Sequence, residues 1–494
     1  MLIEHLHKIQ DHFGCLAARH LAALAAEMRL AMAEVYEVAT FYAHFDVVME
    51  SESPPPPLTV RVCDSLTCEC FGAPALLGAL PDALGDNVRV VRAPCMGRCE
   101  EAPVVEVGHR HVTQATVESI LACIKGPDHS PVIPPYVDFD AYVAGGGYET
   151  LKECLSGARQ VDDVIAALED SGLKGKGGAG FPTGRKWRFV RAETGPRLMA
   201  VNADEGEPGT IKDRVYMEQD PHRFLEGTLI AGWAVEAAEC YIYLRDEYPG
   251  IREVLLEEIA KLDAAGLTAQ TALIPAPRRR RLHLRRRVGL WSRPTLINNV
   301  ETLHWVRDIL ERGPDWFSGE GRNGRSGFHS FSVSGRVKEP GVKLAPAGIT
   351  MNELLAEFCG GMADGHTFRA YLPGGASGGI LPASMADLPL DFGTLESHGC
   401  FIGSAAVVVL SDQDDLKGAA LNLMRFFEDE SCGQCTPCRV GCEKAAVLMS
   451  KDRWDAPLLR ELSTAMADAS ICGLGQAAPN PLLSILRYFP EELA

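Results

Sequence analysis

The chain has 494 residues, enough for two to four domains each with its own core, and its 66 acidic against 48 basic residues give a net charge of −18. That field repels phosphate and argues against nucleic acid or an anionic membrane as a partner. Its 16 cysteines without a signal peptide point to a reducing, cytoplasmic setting in which thiols serve metals, and apolar runs such as 405–410 are too short for direct membrane insertion.

Leu2, Leu6, Ile9 and Phe13 recur at helical spacing and helix formers continue over 21–45, predicting a small helical cap that the proline-dense stretch 50–57 breaks. Alternating apolar residues predict strands at 58–62, 88–91 and 104–107, with a helix over 73–84. Cys63 and Cys68 (C-x4-C) and Cys95 and Cys99 (C-x3-C) follow two of these strands. Four sulfurs therefore collect at one end of a small α/β sheet. Such a set suits an iron–sulfur cluster, with zinc as the rival metal; Cys70 competes with Cys68 for a ligand place, and Cys68 gives the cleaner spacing.

Glycine and proline from 126 to 150 mark a linker, followed by a helix at 161–171, a glycine-rich loop at 172–184 and a buried strand at 198–202 that ends in acids. The loop's backbone N–H groups and lysines, ahead of a helix, suit a phosphate or a flat ring. Its spacing is not the dinucleotide G-x-G-x-x-G, so the loop is something other than an ordinary Rossmann turn. Strand-rich sequence runs from 328 to about 392, and amphipathic helices at 416–427 and 454–469 predict a C-terminal bundle. Within it Cys432, Cys435 and Cys438 form C-x2-C-x2-C. Cys442 extends that run, but Cys472, among glycines that let backbone approach a cluster, is the better fourth ligand and Cys442 a core residue. Cys15, Cys123, Cys154, Cys240, Cys359 and Cys400 lack partners at ligand spacing and read as packing residues.

The segments 175–187, 202–209, 298–303, 430–435 and 471–475 resemble the NADH-oxidising flavoprotein subunit of respiratory complex I and its relatives. Residues 1 to about 125, with Thr40-Phe41-Tyr42, resemble its thioredoxin-like [2Fe-2S] partner, so the chain looks like a fusion of the two. Such fusions are typical of NAD-linked formate dehydrogenases and NAD-reducing hydrogenases. The stretches 431–438, 453–455 and 487–493 look most like the formate dehydrogenase beta subunit.

That resemblance implies an α/β multidomain fold. Its parts are a helical cap plus thioredoxin-like [2Fe-2S] domain (1–125), a linker (126–150), a Rossmann-like FMN/NADH domain (151–324), a ubiquitin-like β-grasp domain (325–395) and a [4Fe-4S] helical bundle (396–494). It implies a [2Fe-2S] cluster on Cys63, Cys68, Cys95 and Cys99, and a [4Fe-4S] cluster on Cys432, Cys435, Cys438 and Cys472. FMN would be lined by Gly175, Gly177, Gly178, Lys186, Asn202, Asp204, Glu205, Asn298 and Asn299, with Lys186 near its phosphate; Phe181 and Glu207 would meet NAD(H), and Glu205 and Glu207 would be catalytic. The implied activity is that of a diaphorase passing electrons from a formate-oxidising alpha subunit, which holds a molybdenum or tungsten pterin and Fe-S clusters, to NAD. The corresponding subunits of hydrogenase and complex I are the nearest alternatives, an electron-transfer scaffold with an impaired nucleotide site another, and a zinc-bearing structural protein the third.

Two features depart from the family. Between 266 and 291 a glycine-rich nucleotide segment is replaced by a shorter, arginine-rich one, which reads as a deletion or reading-frame error and implies weakened FMN and NAD binding; the plainer alternative is a solvated basic loop or one that meets an acidic partner surface. Met1 also falls inside the first family helix, so the resemblance implies a longer N-terminus.

Overall fold

The computed structural model describes residues 2–41, 45–277 and 289–493. The cap forms as expected from the helices Leu2–Phe13, Ala18–Met28 and Met32–Phe41, closed over Leu6, Leu16, Leu21 and Val35. Tyr42 lies outside the described residues.

Next comes a four-stranded sheet in the order Val88–Ala93, Leu58–Cys63, Val105–Val107, Arg110–Val112, parallel in the first pair and antiparallel in the rest. Val60, Val62, Val105 and Val107 are fully buried, so the alternation read in the sequence is the buried face of this sheet. The helix Ala73–Leu84 covers it, at the residues the pattern predicts.

The stretch 126–150 is docked on both neighbours: His129 O accepts from His109 N–H of the first domain at 3.0 Å, and residues 136–150 behave as part of the next. It holds the helix Phe139–Ala144, and Tyr142 and Tyr148 are buried in that domain's core. Two buried carboxylates fasten it. Glu226 accepts from Tyr142 OH at 2.8 Å and from the Tyr148 and Leu151 N–H groups at 3.0 and 3.2 Å, and Glu258 accepts from Tyr136 OH at 2.8 Å and Phe139 N–H at 3.1 Å. Carboxylates taken out of water persist only when so satisfied.

The central domain is a fully parallel four-stranded sheet ordered Thr295–Asn299, Arg197–Ala203, Ala237–Leu244, Ala272–Pro277. Strand order reverses between the first two, because the chain returns from the far edge to pair Thr295–Asn299 with Arg197–Ala203. The crevice beyond the carboxyl ends of such a pair is where open α/β sheets receive ligands. Of the atypical segment, Ala272–Pro277 completes the edge of the sheet, a place where Pro275 and Pro277 cost no interior ladder bond. The arginines from Arg278 to Arg287 lie outside the described residues.

A five-stranded sheet follows in the order Gly341–Pro346, Phe328–Gly335, Ala406–Ser411, Phe368–Leu372, Leu381–Pro382. Its middle strand lies beyond residue 395, where the sequence pattern ends this domain. That strand is a continuous apolar run, buried at all six positions, and it leads straight into the helix Leu416–Asp429 of the C-terminal bundle. The bundle continues with Thr436–Met449, Ala456–Ala469 and Asn480–Tyr488 around one core.

Replacing Glu226 by alanine leaves a tyrosine hydroxyl and two N–H groups without their acceptor. The expected cost is about 3 kcal/mol, read as a lowered midpoint of thermal unfolding with both iron–sulfur spectra initially unchanged.

Candidate redox sites

The strand ends bring Cys63, Cys68, Cys95 and Cys99 together, at 1, 2, 1 and 5 % exposure. Cys95 and Cys99 sulfurs are 3.4 Å apart, and Cys63 is within hydrogen-bonding reach of both Cys68 and Cys95. They form a row of pairs: among the described residues no three His, Cys, Asp or Glu side chains surround a position for a single ion. Gly97 N–H points at Cys95 Sγ at 3.4 Å, the kind of donor that steadies a cluster thiolate. This sulfur set, dry and held at a strand end, on the short helix Leu66–Cys70 and on the Cys95–Cys99 loop, fits a dinuclear iron–sulfur group. Hydrogen bonds from Cys63 and Cys99 pull the Cys95 thiol down, with help from the Arg245 guanidinium.

The loop between Cys95 and Cys99 is gripped by the central domain. Arg245 donates to Cys95 O at 2.5 Å and to Glu205 O at 2.9 Å, and Arg214 donates to Gly97 O at 2.6 Å while pairing with Glu100 and Glu218. Gly97 has φ +64°, and a Cβ there would run into Tyr248 OH. No local sequence signal marks Arg214, Arg245 or Tyr248 for this role, since each matters only through a loop more than a hundred residues away.

Three of the four second-set cysteines lie on one loop and the first turn of Thr436–Met449: Cys435 is the N-cap residue, Cys438 is buried, and Cys432 precedes them beside Gly433 at φ +74°. Cys472 is exposed and N-caps the short helix Gly473–Ala477. The two segments touch, because a Cβ on Gly475 would come 2.7 Å from Cys438 Cβ. Ser431 Oγ lies 3.3 Å from Cys438 Sγ. Cys442 sits one turn on, fully buried in the bundle core, its thiol pushed up by hydrogen bonding to Cys438 and by burial. An exposed cysteine on a segment that touches a glycine-flanked, half-buried set fits a group bound at the protein surface.

The glycine loop is folded back on itself by Gly175 N–H to Phe181 O at 2.8 Å and Thr183 N–H to Leu173 O at 2.9 Å. It lies over the strand-order reversal. A Cβ on Gly177 would be 3.1 Å from Asn299 Cβ, and Gly178, at φ +116°, passes close to Gly403. Beneath it Trp187 Nε1 donates to Asn298 Oδ1 at 3.0 Å, and Lys186 Nζ donates to Ile297 O at 3.1 Å. Buried Asn298 Nδ2 and Thr183 Oγ1 are left without partners. A glycine-walled crevice with waiting polar atoms is what a flavin phosphate and ring system would satisfy.

The acidic residues at the strand end divide between roles. Asn202 is exposed, and its Oδ1 accepts from Asp204 N–H at 3.2 Å; Asp204 is half-buried. Glu205 caps the helix Lys212–Gln219, taking Asp213 N–H at 2.6 Å, Arg214 N–H at 2.8 Å and Tyr248 OH at 3.0 Å; burial and the neighbouring Asp213 push its carboxyl up to about 8. Glu207 turns to the β-grasp side, where Ser377 N–H at 2.8 Å and Ser404 Oγ at 3.1 Å donate to it. Asn299 N-caps the helix Val300–Arg312 and reaches the buried Lys212–Asp213 pair. Phe181 is 39 % exposed beside Phe189, a flat apolar surface at the mouth.

Fold and sites together define an iron–sulfur flavoprotein in which one chain carries a flavin crevice and two cysteine-lined centres. Three family models match in chain order: a thioredoxin-like [2Fe-2S] ferredoxin over residues 1–127, the Nuo51 FMN-binding domain over 168–308, and the NADH-ubiquinone oxidoreductase-F iron–sulfur binding region over 418–494. The NADH-quinone oxidoreductase F 2 subunit of Rhizobium meliloti is 35% identical over 389 residues, 71% of this chain and 92% of that protein; the F subunit of Aquifex aeolicus is 35% identical over 398 residues, 73% and 91%. The chain belongs to the family of NADH-quinone oxidoreductase F subunits. A crystal structure of an NAD+-reducing [NiFe]-hydrogenase in the H2-reduced state matches all of this chain and 92% of its own, with 28% identity and a TM-score of 0.86. The chain is thus an NADH-oxidoreductase-type electron-transfer subunit with FMN-binding, [2Fe-2S] and [4Fe-4S] domains. No helix among the described residues is long and apolar enough to cross a membrane.

A Gly97→Ala variant places a methyl group into Tyr248 OH at a left-handed backbone position. Loss of most of the [2Fe-2S] visible circular dichroism is expected, with partial recovery in Gly97→Ala/Tyr248→Ala.

Proposed function

We propose that this chain is the diaphorase subunit of an NAD-dependent formate dehydrogenase, delivering electrons from a formate-oxidising alpha subunit to NAD in the cytoplasm. The observation that carries the diaphorase reading is the flavin crevice at the strand-order reversal, flanked in the same chain by two cysteine sets. Flavin, when bound, exchanges electron pairs with nicotinamide and single electrons with iron–sulfur centres. The chain's own residues orient and exclude water. Gly175, Gly177 and Gly178 let backbone lie against the ring and phosphate, Lys186 and Asn298 border the crevice floor, and Phe181 offers nicotinamide an apolar face. Asn202, Asp204 and Asn299 would line the flavin, with Asn299 lying against Gly177, and Glu207, held on the β-grasp side, would meet the nicotinamide nucleotide. Glu205 is read as a residue that shapes this site through the helix it caps.

The formate specificity rests on the C-terminal stretches. There Trp454 is buried with its indole N–H donating to Met449 O at 2.7 Å, and Glu492 pairs with Arg369 of the β-grasp sheet. The proposed division remains 1–125, 126–150, 151–324, 325–395 and 396–494, with the middle strand Ala406–Ser411 shared by the last two units. A second reading, the diaphorase subunit of an NAD-reducing hydrogenase, is favoured by the full-length match to the hydrogenase structure.

The two are separated by isolating the native complex and assaying NAD reduction with formate and with hydrogen. Formate-dependent reduction with a pterin-containing large subunit supports the first reading, and hydrogen-dependent reduction overturns it. For the ligand sets, Cys472→Ala should abolish the [4Fe-4S] electron paramagnetic resonance signal while Cys442→Ala keeps it, the reverse result transferring the fourth ligand to Cys442.

A further inference from the structure

Lys176 lies on the glycine loop, yet its side chain does not stay there. It is 6 % exposed and runs into the neighbouring domain, where Nζ donates to Phe328 O at 2.5 Å and lies 3.4 Å from His329 Nδ1. His329 Nε2 lies 3.0 Å from Asp391 Oδ1, and both side chains are almost completely buried. The polarity is consistent along the row: the ammonium donates to Nδ1, so Nε2 carries the proton that goes to the carboxylate. Asp391 is fixed from behind by Phe392 N–H at 2.8 Å. The loop's backbone is held as well, by Lys176 N–H to Thr302 Oγ1 at 2.9 Å.

We propose that Lys176, His329 and Asp391 form a latch that ties the glycine-rich loop to the β-grasp domain and so holds it in the conformation that retains flavin. The proposal rests on the reading of that loop as the flavin site. It makes Lys176 a positioning residue, acting through the loop it anchors, and it gives the β-grasp domain a role in flavin retention.

The latch has a built-in pH response. The charged groups facing Lys176 are Glu301 and Asp391, which favour its charge, and Lys212 and Lys174, which oppose it; burial outweighs them and lowers Lys176 to about 8. Burial and the Lys176 charge likewise lower His329, against Asp391 and Glu301, while Arg325 stands 3.9 Å from Asp391. A released loop would return the lysine toward ~10.4 and the histidine toward ~6.5. The open state therefore binds more protons. Falling pH favours opening, through the lysine between about 10 and 8 and through the histidine below about 6.5.

The test is the rate at which FMN leaves the full-length holoprotein on dilution, followed by the fluorescence of free flavin from pH 5.5 to 9.5. Wild type should release flavin faster toward acid. Lys176→Ala should release it about ten-fold faster at pH 7, the cost of losing a charge-assisted hydrogen bond and stranding its acceptors, with iron–sulfur absorbance intact. Lys176→Arg keeps a cationic donor that does not titrate, and should restore retention while flattening the dependence above pH 7. Gly177→Val, which drives a side chain toward Asn299, is the control on the site itself. If Gly177→Val loses flavin while Lys176→Ala keeps the wild-type rate and pH profile, the latch is wrong and the flavin site stands. If both variants keep flavin, the site reading fails and the latch with it.

Discussion

The docking of the cysteine loop Cys95–Cys99 onto the central domain by two buried guanidinium groups is the constraint on which the rest of the structure depends. Electron transfer between centres demands that they be held at fixed, short separations in a dry interior, and a net acidic chain must bring carboxylates and main-chain carbonyls into that interior to do it. Arg245 and Arg214 resolve the conflict. Each is 2–3 % exposed and each reaches a backbone carbonyl of the cysteine loop, while Glu247, Glu100 and Glu218 balance their charge. Planar guanidinium groups suit the role because they satisfy several acceptors at once without losing their charge.

The same strategy recurs within and between the domains. Glu226 and Glu258 fasten the stretch around Tyr142, Lys212 is buried among Asp213 and Glu301 beneath Asn299, and Arg336 joins Asp414 to Cys70 O next to the first cysteine set. Apolar packing alone would let these units slide. Directional, desolvated pairs fix register, at the cost of being destabilising whenever a single partner is lost. The central helix Pro221–Ala234, buried along nearly its whole length, carries Glu226 and also His222, which bonds Glu258, and is the stem around which the flavin domain is assembled.

At the flavin crevice, the family resemblance and the geometry meet unevenly. Gly177 lies against Asn299, and Lys186 and Trp187 hold the neighbouring Ile297 and Asn298 of the same strand. Glu205 and Glu207 do not form a pair: one caps a helix facing the [2Fe-2S] domain and the other is held by serines of the β-grasp side, so neighbouring acids in sequence serve opposite faces of the site. The lysines of the loop also part company, Lys176 plunging inward while Lys174 lies over the Phe392 ring.

The sequence by itself determined the local elements and the chemistry they could carry: the 2.0-residue alternation of Leu58–Cys63, the helix Ala73–Leu84, the glycine loop, and cysteine spacings that suit metal clusters, all of which depend on residues near one another in the chain. Only the tertiary structure decided that 126–150 is docked rather than free, that Ala406–Ser411 completes the β-grasp sheet, that Arg245 and Tyr248 meet the cysteine loop, and that Lys176, His329 and Asp391 line up between two domains. Their roles come from partners tens to hundreds of residues distant, brought together by sheet order and burial, and no local periodicity records which charge will lose its water beside which carbonyl.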